Sequence, residues 1–156
     1  MYKIGNSIDI HPLIKGEYIN IGGVKVKSSF TSVSHSDGDA LLHSITEAIL
    51  GALGKGDLGK HFPNDELNKN RSSVDYLMFA KDLLNKEGYK ISNIDCMIVL
   101  EKPSLKDYKE EIENNIARLL EIEPSQINIK AGTNEKIGTI GDSKSYLTWT
   151  SVLIFK

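Results

Sequence analysis

The sequence predicts an α+β fold, a two-layer α/β sandwich in which helices cover a mixed sheet. Three observations carry that prediction. Strand-like and helix-like patterns follow one another in the order ββαα-β-α-ββ, which suits a sheet covered by helices rather than a doubly wound one. The four prolines, Pro12, Pro63, Pro103 and Pro124, fall where the hydrophobic period changes, so they punctuate elements instead of interrupting them. With 156 residues, 40% hydrophobic and 26% charged, the chain has the size and composition of one catalytic domain over residues 1–156.

Residues 2–11 alternate as a strand does, and Tyr18 to Lys27 reads as a hairpin turning at Gly22-Gly23. From Asp39 to Leu53, apolar residues including Leu41, Leu42, Ile45, Ala48 and Ile49 recur at helical spacing, with Ser36 or Asp37 as candidate caps. Pro63 to Arg71 is polar and reads as a mobile loop; Ser72-x-x-Asp75 then has the form of a capping box for a helix ending near Gly88. Ile94 to Glu101 is a continuous apolar run, suited to a strand covered on both faces. Ser104 is expected to cap a helix reaching about Ile122, with Leu105, Tyr108, Ile112 and Ile116 on one face. Two strands close the chain, Gln126 to Ala131 and Tyr146 to Phe155, separated by a loop holding Gly132, Gly138 and Gly141.

Charge excludes some classes of function. Nineteen basic against twenty-one acidic residues leave a net charge of −2, so no global field draws in nucleic acid or an anionic membrane. No signal core and no stretch approaching ~18 apolar residues is visible, so no membrane partner is expected. The one cysteine, Cys96, sits among apolar residues as a buried strand thiol would. A reducing compartment follows: the cytoplasm, or a plastid if the protein is a processed eukaryotic one.

All four histidines, His11, His35, His43 and His61, lie in the first 61 residues. In Asp9-Ile10-His11 the two-residue strand period places Asp9 and His11 on one face. His43 follows on the predicted helix, four residues after Asp39 and four before Glu47. Two imidazoles and one carboxylate leave a tetrahedral Zn²⁺ with one open position, the arrangement of catalytic zinc. Taken alone, the same residues also read as polar positions at a strand end and a satisfied helix histidine. Ser34 to Asp39 crowds small polar residues at a helix start, which serves an anion or simply a cap. Gly56-Asp57-Leu58-Gly59 brings backbone close to a ligand or merely ends a helix. Thr133-Asn134-Glu135 offers a hydroxyl, an amide and a carboxylate that suit a hard divalent ion, or forms a hairpin shoulder.

Together, Asp9-Ile10-His11, Ile21-Gly22-Gly23-Val24, the block His35-Ser36-Asp37-Gly38-Asp39 through His43, Gly56 to Gly59, Phe62-Pro63 and Thr133 to Lys136 resemble one family. It is the 2-C-methyl-D-erythritol 2,4-cyclodiphosphate synthase family of non-mevalonate isoprenoid biosynthesis, and the resemblance runs in order along essentially the whole chain. It implies a lyase that converts 4-diphosphocytidyl-2-C-methyl-D-erythritol 2-phosphate to the cyclic diphosphate and CMP, working as a homotrimer with active sites between neighbours. It further implies Zn²⁺ on Asp9, His11 and His43, and a second divalent ion, Mg²⁺ or Mn²⁺, on Glu135. His35 and Thr133 match the catalytic positions. Substrate contacts are implied for Asp9, His11, His35, Ser36, Asp57, Gly59, Phe62, Asp65, Gly132, Thr133, Asn134 and Glu135, with residues 100–106 and 131–133 on the nucleotide side.

The chain departs from the family's pattern in places. Gly132 lacks a hydroxyl that many relatives have, and Ser104 stands after the proline where some relatives have a lysine. Asp142 stands where relatives that bind an isoprenoid diphosphate on the trimer axis have arginine, and Trp149 where an acidic residue is common; no such ligand is expected here. A zinc phosphohydrolase and a non-catalytic trimeric binding module are the competing readings.

Overall fold

The first strand runs further than its alternation predicts. In the computed structural model, which describes residues 1–156, β1 spans Tyr2–Lys15 with Pro12 inside it. Then come the hairpin strands β2 (Tyr18–Ile21) and β3 (Val24–Lys27), β4 (Phe30–Ser32), and the helices α1 (Ala40–Leu53), α2 (Leu58–His61) and α3 (Ser73–Lys86). The chain continues with β5 (Lys90–Val99), α4 (Lys109–Leu120), β6 (Ile127–Gly132), the short α5 (Gly138–Gly141) and β7 (Ser145–Phe155). Pro12 is tolerated because β1 changes neighbour there: it pairs with β7 as far as Pro12 and with β4 from Leu13 onward.

The main sheet has five strands in the order β4-β1-β7-β5-β6. All its pairs are antiparallel except β5 with β6, and that parallel pair needs the long crossover that α4 supplies. α1 lies across β1 and β7, α3 packs beside α1, and α4 lies on β6. Between helices and sheet, 33 buried apolar residues form one cluster, with Leu41, Ile45, Ile49, Ile98 and Ile154 fully enclosed. The fold is thus mixed α+β, as the element order predicts.

Several expectations are corrected. Ser104 does not open a helix: its hydroxyl accepts the Lys106 N–H at 3.3 Å in a local turn, and α4 begins only at Lys109. Asp39, not Ser36 or Asp37, is the N-cap of α1, accepting the Leu42 N–H. Ser72 caps α3 through the Val74 N–H rather than through the Asp75 N–H of a capping box. β4, α2 and α5, three or four residues each, are too short to show a period.

The apolar run of β5 is covered on one face only. Ile91, Ile94, Cys96 and Ile98 are buried beneath the helices, whereas Asp95, Met97 and Val99 on the other face stay half-buried. Beside them Ile4, Ile8, Ile10 and Trp149 are more than half exposed, and Ile8, Trp149 and Met97 stand in one row across three strands. An apolar sheet face is therefore bare in the single chain.

Candidate active site

Asp9 and His11 share the helix side of β1, and His43 projects from the first turn of α1. The ligating atoms of all three lie within 4.8 Å of one another. Asp9 Oδ2 is 3.0 Å from His11 Nε2 and 3.3 Å from His43 Nδ1. The outward nitrogens are engaged elsewhere: His11 Nδ1 lies 3.0 Å from the Gly38 carbonyl oxygen and His43 Nε2 lies 3.1 Å from Ser36 Oγ. A carbonyl only accepts, so the His11 proton sits on Nδ1 and the lone pair of Nε2 turns inward. Asp9 Oδ2 is itself buried and finds no hydrogen-bond donor. The inward lone pair of His11 and a bare carboxylate oxygen repel one another unless a cation lies between them, and this donor set fits Zn²⁺ with one position open.

Acid–base behaviour shows the same demand for positive charge. Burial pushes the Asp9 carboxyl up, but His11 and His43 outweigh it and hold the pKa at about 2. Burial pushes His11 down, and the Asp9 carboxylate reverses that shift, so its pKa is raised.

The loop from His35 to Asp39 builds the walls of this group. The Asp37 carboxylate accepts from both the backbone N–H and the hydroxyl of Ser73, fastening the loop to the start of α3. Gly38 has φ +80°, and a side chain there would overlap Ser32, so only glycine lets the carbonyl face His11. Asp39 is almost wholly buried and accepts the N–H groups of Gly22, Gly23 and Leu42, at 3.0, 2.7 and 3.0 Å. It locks the β2–β3 turn to α1. Tyr146 lies behind His11, its hydroxyl on the Gly38 carbonyl; burial and the nearby Asp39 charge push the phenol well above its ordinary pKa, so it stays a donor.

The remaining predicted residues fall around this centre. His35 Nε2 donates to the Asp65 carbonyl at 2.9 Å, while the Asp65 carboxylate accepts from Asn68 and so braces its own loop. Asp57 caps α2 through the Lys60 N–H, and Gly59 lies exposed in that helix. Phe62 packs against Tyr76 with ring centroids 4.7 Å apart and the planes tilted by 56°, and Tyr76 lies 5.4 Å from the His43 ring. His61 packs on Phe79 and bonds the Lys55 carbonyl, outside the metal group.

Gly132 ends β6 at the opposite sheet edge, and Thr133, Asn134 and Glu135 follow it. The Thr133 hydroxyl donates to Glu135 Oε1 at 3.3 Å, and the Asn134 N–H donates to Glu101 at 3.1 Å. A cleft of about 250 Å³ opens beside them, lined by Leu100, Ser104, Lys106, Lys109, Gly132 and Thr133. Ile10, Leu147, Val99 and Gly132 pair across one row, so cleft and metal group share one end of the sheet. Three strand spacings, about 14 Å, separate β1 from β6. Glu135 is not among the side chains whose ligating atoms meet at the triad.

Sequence reasoning missed Lys109, Tyr76 and Tyr146 as residues of the site. The i+3 step from Lys106 to Lys109 was the available signal for the first; nothing local marks the tyrosines.

Comparison with known proteins decides the family. A family model described as the YgbB family matches residues 2–155. The chain belongs to the YgbB family. Among the YgbB relatives, 2-C-methyl-D-erythritol 2,4-cyclodiphosphate synthase of Fusobacterium nucleatum is 45% identical, covering 100% of this chain and 98% of its own. The synthase of Bacillus subtilis is 40% identical, covering 100% and 99%. A solved structure described as Plasmodium falciparum IspF in complex with CDP superposes with a TM-score of 0.87 at 35% identity, covering 99% of this chain and 96% of that one. The bifunctional IspDF of Campylobacter jejuni gives a TM-score of 0.94 at 36% identity; the match covers 99% of this chain but only 42% of that longer one.

Proposed function

We propose that this YgbB-family chain is a 2-C-methyl-D-erythritol 2,4-cyclodiphosphate synthase, a lyase that turns 4-diphosphocytidyl-2-C-methyl-D-erythritol 2-phosphate into the cyclic diphosphate and CMP. The observation that carries the reading is the Asp9, His11 and His43 group with both outward histidine nitrogens already engaged.

The substrate brings its own nucleophile. An oxygen of its 2-phosphate forms a bond to the β-phosphorus, the bond from that phosphorus to the α-phosphate oxygen breaks, and the electron pair leaves with CMP. The protein folds the substrate and balances charge. Zn²⁺ on Asp9, His11 and His43, with Mg²⁺ or Mn²⁺ on Glu135, would supply Lewis-acid neutralisation of the phosphates. His35 already carries its proton on Nε2, because Asp65 offers it a carbonyl; exchanging that carbonyl for a phosphate oxygen turns the same N–H to transition-state stabilisation. Thr133 makes the corresponding exchange from Glu135. Ser36 holds His43, while Asp57, Gly59, Phe62 and Asp65 frame the sugar alcohol.

The nucleotide belongs in the cleft beside Gly132 and Thr133, where Lys106 and Lys109 supply the positive charge that Ser104 does not. Because that cleft and the triad stand apart within one chain, a homotrimer completes each site from two copies, and the bare apolar sheet face supports that association. Asp142 pairs with Lys144 at 3.2 Å, and the bulk of Trp149 stands on the sheet face; both support a trimer axis that takes no isoprenoid diphosphate. No helix is long and apolar enough to cross a membrane. The unpaired Cys96 suits the cytoplasm as the place of work.

Phosphorus NMR of the metal-loaded protein with this substrate tests the reading. Equal amounts of CMP and a cyclic diphosphate, abolished by a chelator, are expected. Linear phosphates would make the protein a hydrolase, and unchanged substrate would make it a binding module.

A further inference from the structure

Gly38 is an unusual anchor for a metal ligand. A glycine in the left-handed region has no side chain to fix its peptide, yet its carbonyl is the acceptor that orients His11. Two side chains do the fixing instead. The Tyr146 hydroxyl donates to Gly38 O at 2.9 Å and Ser32 Oγ donates at 2.6 Å. Tyr146 is fully buried and stands directly opposite His11 in the β1–β7 ladder, its ring at 86° to the imidazole with centroids 6.1 Å apart. Its hydroxyl also accepts the Ala40 N–H at 3.0 Å, one of the free donors in the first turn of α1. One phenol thus ties the peptide behind His11 to the helix that carries His43.

We infer that Tyr146, assisted by Ser32, is a positioning residue for the metal group: it holds the Gly38 carbonyl and the start of α1 in one geometry, and so sets the angle between the His11 and His43 ligand nitrogens. The inference rests on the metal reading given under Proposed function. Tyr146→Phe removes the oxygen alone. It leaves the Ala40 N–H without its partner and frees the Gly38 peptide to turn, while the ring still fills its space.

The test is metal binding rather than turnover. Co²⁺ affinity is measured by competition with a chromophoric chelator, and the visible spectrum of the Co²⁺-loaded protein reports ligand geometry. For Tyr146→Phe the affinity is expected to fall about 10–100-fold with a changed visible spectrum, as for other partners of ligating histidines. Ser32→Ala should shift both in the same direction by less. Unchanged affinity and spectrum in Tyr146→Phe, even with a lower thermal midpoint of the metal-free protein, would reduce Tyr146 to a core residue and overturn the inference. Should that variant not fold, Ser32→Ala decides alone, and an unchanged affinity and spectrum overturn it. Wild-type protein that takes up no Co²⁺, or a His43→Ala variant that binds it as tightly as wild type, would remove the metal reading itself and this inference with it.

Discussion

Gly5 of β1 passes so close to Ala48 of α1 that a Cβ on Gly5 would overlap the Ala48 carbonyl oxygen. Gly5 lies four residues before Asp9 on the same face of the strand, and Ala48 lies five after His43 on the helix. This contact therefore sets how near the carboxylate and the imidazole come. Gly5→Ala should destabilise the fold by about 1–3 kcal/mol, because backbone rather than a flexible side chain has to move. Gly51, in the same helix, has nothing within 4 Å of a Cβ, so Gly51→Ala should instead stabilise by about 0.5–1 kcal/mol. Urea denaturation of both variants checks the opposite signs.

Asp39→Asn tests the clamp between hairpin and helix. A carboxylate accepts at both oxygens, as Asp39 does from Gly22, Gly23 and Leu42; an amide offers one oxygen and turns a donor toward a donor. A loss of about 2–4 kcal/mol is expected from broken charge-assisted bonds and an unpaired N–H group. Hydrogen exchange should show the loosening first at Gly22 and Gly23.

Part of this was legible in the sequence, and the rest shows where local patterns stop. The pairing of Asp9 with His11 follows from the strand period alone, and the position of His43 on a helix follows from the spacing of Leu41, Leu42 and Ile45. Their meeting does not, because it depends on α1 lying across β1. Tyr146 was invisible for the same reason: it reaches Gly38 across a separation of 108 residues, and no local spacing encodes a partner in the sheet. Ser104 misled because a serine before an apolar period looks like a cap whether its hydroxyl meets the first turn of a helix or, as here, an isolated turn. The run from Ile94 to Glu101 reads as buried on both faces because Met97 and Val99 on the bare face are as apolar as Ile94, Cys96 and Ile98 beneath the helices.

His43→Ala should lose the metal and most turnover while keeping the fold, since the side chain lies at the edge of the core beside Asp9. Removing a ligand should weaken affinity by more than the ~10–100-fold typical of losing an outer partner. Metal analysis after dialysis, with a circular dichroism spectrum matching wild type, checks both parts.

Cys96 should resist thiol reagents in the folded protein. Burial pushes its pKa from 9.0 up to about 12, only partly opposed by the Thr150 hydroxyl, so little thiolate exists at neutral pH. Because the folded state holds this proton more tightly than the unfolded chain, stability should fall as pH rises from about 9 toward 12. Labelling with a chromogenic disulfide before and after denaturation should release one equivalent only afterwards.

The apolar sheet face makes the last prediction. Ile8 and Ile10 are 53% and 56% exposed in one chain, on the face that also carries Trp149 and Met97. Two lysines there would be buried without partners in any assembly that covers this face, at a cost of several kcal/mol each. The double variant Ile8→Lys with Ile10→Lys should therefore elute as a smaller species than wild type in chromatography with light scattering. In the single chain both side chains point to water, so each subunit should still fold. If the cleft beside Thr133 serves the triad of a neighbouring copy, turnover should fall with dissociation while each chain keeps its metal. A variant that dissociates and retains full turnover would place the whole site within one chain.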